Sequence, residues 1–259
     1  MKKRILALVL LLCMLLTLNA CKKDEEPVVT EESTEPTTLS AVVPESARAD
    51  ASYFDDVVFI GDSISEGLSN CEAAEDKMGG AQFLTSVSLS ATNALWEVSS
   101  RSVHPRYRGE KMKVERAVAL SGATKVYLML GMNDIIAVGV DKAAANFEKL
   151  CDAILTNAPD VELFVESVTP LAGEGKTSGE HTLNNATISQ YNALLETMCL
   201  NRGWHYLNVA EALRGADGYL RTDLCSDPNG MGMLLTFGGC EAWIDYLYTH
   251  TLTDGGIDA

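Results

Sequence analysis

Positive charge is scarce in this 259-residue chain: 20 Lys and Arg stand against 36 Asp and Glu, for a formal net charge of −16. Such a surface repels phosphate backbones, and the part that folds offers no basic cluster as a local exception, so nucleic acid is excluded as a partner. Cysteine pairs with metal-ligand spacing are missing as well. None of the seven cysteines stands in a CxxC pair, which argues against a zinc site, and nothing in the chain calls for a metal or other cofactor. Internal repeats are not evident, and this length with 47% hydrophobic residues suits one domain core rather than two. The apolar run from Ile5 to Leu18 falls short of the roughly 20 residues a transmembrane helix needs.

That run is instead the centre of a signal peptide, residues 1–20. Lys2, Lys3 and Arg4 precede it, and Leu18-Asn19-Ala20-Cys21 closes it with small residues suited to cleavage. The closing tetrad resembles the lipobox of bacterial lipoproteins. The resemblance implies that the Cys21 thiol is acylated and becomes the first residue of the mature chain, a lipid anchor holding the protein to the cell membrane on its extracytoplasmic face. After Cys21, residues up to Asp50 are rich in Glu, Thr, Pro and Ser and poor in large apolar side chains. They cannot bury enough surface to offset the entropy of ordering, so residues 21–50 are expected to form a lipidated cysteine and an acidic tether. A flexible linker of that length would hold the domain on the order of 30 Å from the bilayer.

From residue 51 to 259, short apolar runs alternate with helical stripes. Val57–Ile60, Phe83–Leu89, Lys125–Leu130, Val161–Val168 and Trp204–Asn208 read as strands, mostly followed by turn residues. Between them Phe147, Leu150, Cys151, Ile154 and Leu155 recur at helical spacing, as do Ile188, Tyr191, Leu195, Met198 and Cys199, with Gly203 as a stop. Cys240, Trp243, Ile244, Leu247 and Tyr248 form a last stripe. Continuous apolar strands must be buried on both sides, and strand–helix alternation implies right-handed crossovers. The expected class is therefore α/β, a three-layer α/β/α sandwich around a parallel sheet.

Two strand ends carry polar signals. Val57-Val58-Phe59-Ile60-Gly61-Asp62-Ser63 sets Ser63 just past the first strand, at a helix start, where its backbone N–H and the helix dipole favour an anion. Val126 to Leu130 leads into Gly131-Met132-Asn133-Asp134 at the end of a second buried strand. Together Gly61-Asp62-Ser63 and Gly131-Met132-Asn133-Asp134 resemble the first and third blocks of the SGNH/GDSL hydrolases. The resemblance spans roughly residues 55–250 and implies a flavodoxin-like five-stranded sheet of order 2-1-3-4-5, with a crevice at the carboxyl ends of its strands. It also implies Ser63 as nucleophile, and an oxyanion hole built from the N–H of Ser63, the amide of Asn133 and a backbone N–H after the second strand. Within Ser86-Val87-Ser88-Leu89-Ser90 that last donor falls on Ser88, where the family has glycine.

The family's fifth block supplies a histidine shortly before the last helix as general base. The matching stretch, Ser226 to Cys240, has none. Counting from Thr236 and Gly239 puts Leu234 at the histidine position, and aligning on Asn229-Gly230-Met231 puts Gly232 there. His205 lies at the start of the fifth strand and His250 at the end of the last helix, where a cation suits the dipole without any catalytic role. His104, beside Pro105, has no assigned place. His181 lies in the long Gly-rich stretch from Leu171 to Asn185, on the crevice side of the fourth strand, and is the candidate replacement base.

These features lead to an extracytoplasmic serine ester hydrolase or deacetylase acting on O-acyl esters of envelope glycans or lipids. The alternative is an impaired relative that binds a glycan or acyl ligand without cleaving it.

Overall fold

The computed structural model describes residues 40–252, apart from the side chains of residues 72–75. The expected signal peptide, Cys21 and residues 22–39 lie outside the described residues. Five strands form the central sheet: β1 Val57–Gly61, β2 Gln82–Thr85, β3 Lys125–Met129, β4 Glu162–Glu166 and β5 His205–Leu207. All pair in parallel, in the order β2-β1-β3-β4-β5, and flanking helices make it a three-layer α/β/α fold.

Register across the sheet sets its chemistry. Phe83, Phe59, Tyr127, Phe164 and His205 are successive cross-strand partners. They form an aromatic ladder on one face, with ring centroids 5.1, 5.0, 4.6 and 4.7 Å apart. Adjacent rings at such spacing add to the burial of each. Helices α1 Ser63–Glu75 and α8 Phe237–Tyr248 pack on each other, and Phe54 links Phe59 of this ladder to Tyr248 of α8. On the other side α3 Val114–Ser121, α5 Val140–Asn157 and α6 Asn185–Arg202 lie side by side. Each of these long helices follows from local signals. In α5, Phe147, Leu150, Cys151 and Ile154 form the buried stripe. Helix α6 starts at a capping box, Asn184 with Thr187, and stops at Gly203 in the left-handed conformation. Two short helices, α2 Ala91–Ala94 and α4 Met132–Val138, begin beyond the carboxyl ends of β2 and β3, and α7 Ala210–Leu213 follows β5.

Two segments differ from the sequence reading. Residues 41–49, expected to belong to the tether, pack on the folded domain. Residues 41–43 lie parallel to β5, with Val43 N–H donating to Tyr206 O at 2.9 Å and Tyr206 N–H to Ala41 O at 2.7 Å. Val43 is buried, and Ser46, Arg48 and Ala49 continue the contact onto the end of α8. A β-branched pair, Val42-Val43, within a polar stretch is enough to cover an open sheet edge. The second segment is the expected loop 171–185, which contains an antiparallel hairpin of Lys176–Ser178 with His181–Leu183.

A chain beginning at Ala51 should therefore unfold at a lower midpoint than one beginning at Leu39. Val43→Ala, which removes two buried methyl groups, should cost about 1.5 kcal/mol. Chemical denaturation of the three proteins checks both, and identical midpoints would show that the segment contributes nothing.

Candidate active site

Ser63 is the first residue of α1, directly after β1 and Asp62. The turn is tight because Gly61 has no side chain: a Cβ there would sit 1.9 Å from Ser65 Oγ. Asp62 fixes the helix start. Its Oδ1 accepts the Ile64 N–H at 2.9 Å, as an N-cap does, and its Oδ2 accepts Asn133 Nδ2 at 2.9 Å. The other Asn133 amide hydrogen goes to Leu89 O at 3.2 Å. Asn133 therefore touches the neighbour of Ser63 on one side and the neighbour of Ser88 on the other.

Ser88 sits in a turn closed by the Leu89 N–H donating to Ser86 O at 3.0 Å, and its φ is +63°. This is the third position of a turn, where a positive φ ordinarily selects glycine or asparagine. The serine occupies the backbone conformation a glycine would take, and Asn93 Nδ2 secures it by donating to Ser88 O at 2.9 Å. The Ser88 N–H makes no hydrogen bond among the described residues. Gly131 is held to glycine by packing, since a Cβ would fall 2.5 Å from Tyr191 Cε1 and 2.7 Å from Val168 Cγ2. Asp134 is fully buried, and its carboxylate accepts from Ala91 N, Thr92 N and Thr92 Oγ1 at 2.9, 2.8 and 2.6 Å. It ties α4 to α2 and is spent on structure.

Ser63 opens onto a cavity of about 240 Å³ lined also by Ile64, Glu66, Val87, Ser226, Leu234 and Leu235. Of the two positions left open for the missing base, Leu234 is the one in this cavity. Gly232 turns away, with a φ of +68° and its backbone against Ala172 and Gly173. The loop carrying Leu234 is knotted by Asp227. Its Oδ1 accepts the Met233 and Leu234 N–H groups at 2.9 and 2.8 Å, and its Oδ2 the Gly232 N–H at 3.1 Å. No feature of the bare sequence marked Asp227 as the organiser, though an aspartate followed by Pro and Gly is a turn signal in its own right.

His181 is not brought to Ser63. It opens the second strand of the hairpin and lies over Gly139, whose Cβ would meet His181 Nδ1 at 3.0 Å. Gly139 is at the far end of α4 from Asn133, about 9 Å along a helix rising 1.5 Å per residue. The physical reason is the hairpin: pairing with Lys176–Ser178 folds the segment back over α4 instead of leaving it free to swing. The remaining histidines are also occupied elsewhere. His104 is buried, with Nε2 3.1 Å from Ala94 O, His205 stacks on Phe164, and His250 stacks on Tyr246.

Burial shapes the acids of this region. Desolvation raises Asp62 to about 6 against the two hydrogen bonds it accepts, with the nearby Asp134 adding to the rise. Glu166, at the end of β4 and almost wholly buried, is pushed up to about 8 by desolvation. Trp243 Nε1 lies close enough to temper that rise, yet neither Glu166 Oε2 nor the indole N–H completes a hydrogen bond. Since the fold holds Glu166 protonated above its unfolded value of 4.5, its contribution is fully present below pH 4.5 and is lost as pH rises through 8. Glu166→Gln should flatten that loss and stabilise the protein at pH 9, by on the order of 5 kcal/mol at most. Urea unfolding at pH 5, 7 and 9 measures it, and parallel pH profiles for the two proteins would refute the assignment.

A sequence model of the GDSL-like lipase/acylhydrolase family matches residues 59–235. No curated protein matches in sequence. Among solved structures, a Bacteroides fragilis protein described as a candidate acylhydrolase superposes with a TM-score of 0.57 at 16% identity, covering 79% of this chain and 88% of that one. A GDSL-like lipase of Bacteroides thetaiotaomicron gives 0.53 at 16% identity, over 78% and 88% of the two chains. The extracellular lipase of Streptomyces rimosus gives 0.50 at 17% identity, over 76% and 99%. At these identities the structural likeness speaks to the fold alone.

Proposed function

The chain belongs to the GDSL-like lipase/acylhydrolase family, and on that premise we propose that it is a serine ester hydrolase or deacetylase of O-acyl esters with a turnover held low by the residue at position 234. The observation that carries the reading is Ser63 at a helix N-terminus, opening onto a cavity beside two further strand ends that hold Ser88 and Asn133. In this mechanism the Ser63 hydroxyl attacks the ester carbonyl. The resulting oxyanion is met by the N–H groups of Ser63 and Ser88 and by the Asn133 amide. Asn133 has both amide hydrogens engaged, so the longer bond, to Leu89 O, is the one the oxyanion displaces. Each such donor is worth about 2.7–4 kcal/mol in the transition state.

With no imidazole to receive it, the Ser63 proton passes to solvent water, water protonates the departing alkoxide, and a second water hydrolyses the acyl-enzyme. Removing the histidine of a serine triad costs about a millionfold in kcat, while oxyanion donors and binding alone retain roughly 10³–10⁴ over the uncatalysed reaction. The residual term is what this site supplies. The cavity wall formed by Ile64, Val87, Leu234 and Leu235 suits a short apolar acyl group, and Glu66 at its rim disfavours anionic substrates. The lipobox ending at Cys21 supports an anchored position on the extracytoplasmic face, within reach of O-acylated glycans or lipids of the envelope. A second reading rests on Leu234 itself: a crevice with its base position filled by an aliphatic side chain binds a glycan or acyl ligand and releases it uncleaved.

Hydrolysis of p-nitrophenyl acetate and butyrate separates the two. The expected result is slow turnover that Ser63→Ala reduces to background and that His181→Ala leaves unchanged, with Ser63 labelled by a serine-reactive phosphonate. Equal background rates for wild type and Ser63→Ala, with no label, would favour the binding reading.

A further inference from the structure

Outside the crevice, two cysteines face one another across the helices that form its walls. Cys71 lies on α1 and Cys240 in the first turn of α8, both buried, and their thiol groups are in hydrogen-bond contact. The helices are pinned together close by: Lys77, just past α1, reaches Glu241 of α8 at 2.6 Å and lies 5.6 Å from the Phe237 ring centroid. Cys151 and Cys199 also lie near each other, but no hydrogen bond joins their thiols among the described residues. They belong to α5 and α6, and Cys225 Sγ is 3.4 Å from Asp227 Oδ1.

We propose that Cys71 and Cys240 form a disulfide that staples α1 to α8 behind the crevice. The oxidant is a disulfide, of a small molecule or an oxidising protein. One cysteine thiolate attacks it, forming a mixed disulfide and releasing one thiol. The second cysteine attacks the mixed disulfide and releases the other. The protein pair gives up two electrons and two protons, and the oxidant leaves as two thiols. The bridge bears on the crevice because Ser63 begins α1 and Leu234 lies a few residues before α8. Oxidation fixes the spacing of those two walls, and it constrains the unfolded chain through a loop of roughly 170 residues.

The test refolds the full-length chain in oxidised and reduced glutathione, alkylates remaining thiols in denaturant, and maps peptides without reductant. The expected product is a cross-linked peptide joining Cys71 and Cys240, absent from Cys240→Ser. Its reduction should lower the thermal midpoint of wild type by several degrees while leaving Cys71→Ala/Cys240→Ala unmoved. Folded protein in which both residues are fully alkylated, or in which Cys71 is joined to Cys151, Cys199 or Cys225, overturns the proposal.

Discussion

The Asp62 carboxylate is the constraint on which the crevice depends. Nearly inaccessible to water, it caps α1 through the Ile64 N–H and holds the Asn133 amide at the end of the next strand, while that amide also reaches Leu89 beyond β2. Three adjacent strand ends are thereby locked by one buried acid and one amide. Desolvation works against this, raising Asp62 to about 6, and the hydrogen bonds it accepts are the compensation. Asp134 performs the same service one layer further out, joining α4 to α2. Both motif acids are thus spent on structure, and the proposed mechanism leaves the chemistry to Ser63 and to N–H donors.

The sheet was legible in the sequence because its strands are short and apolar and its central ones are buried on both faces, so that each run from Val57–Ile60 to Trp204–Asn208 read as a strand. Strand ends were less so: the run Phe83–Leu89 yields a strand only to Thr85, since Ser86–Leu89 closes into the turn that carries Ser88. The position of Ser88 could be placed by comparison with the family pattern, but its φ of +63° could not, because serine gives no local signal for a left-handed turn. The hairpin 176–183 and the added edge at residues 41–43 were hidden for a related reason. Both are made of polar or isolated β-branched residues whose pairing partners are distant or exposed, and composition alone favours loop or tether there.

The histidine question shows how geometry decides between readings that sequence leaves open. Two positions competed for the base, and only Leu234 shares a cavity with Ser63. His181 competed as a replacement, and the hairpin that seats it over Gly139 removes it from Ser63. On the reading proposed above, what remains is an ester site in which Ser63 is the nucleophile at a helix N-terminus beside converging donors, with an aliphatic side chain where a proton acceptor is needed. Asp227 sharpens the point, because its carboxylate already accepts the backbone N–H of residue 234 at 2.8 Å. That contact holds the backbone of residue 234 in place at the cavity it shares with Ser63.

The most direct measurement is the esterase activity of Leu234→His with and without Ser63→Ala. A base in position contributes typically 10²–10⁴-fold, so the account predicts at least a hundredfold gain in turnover of p-nitrophenyl acetate over wild type, abolished by Ser63→Ala. A folded Leu234→His protein no faster than wild type, or a gain that survives Ser63→Ala, would contradict the claim that position 234 is the vacant place of the base beside Ser63.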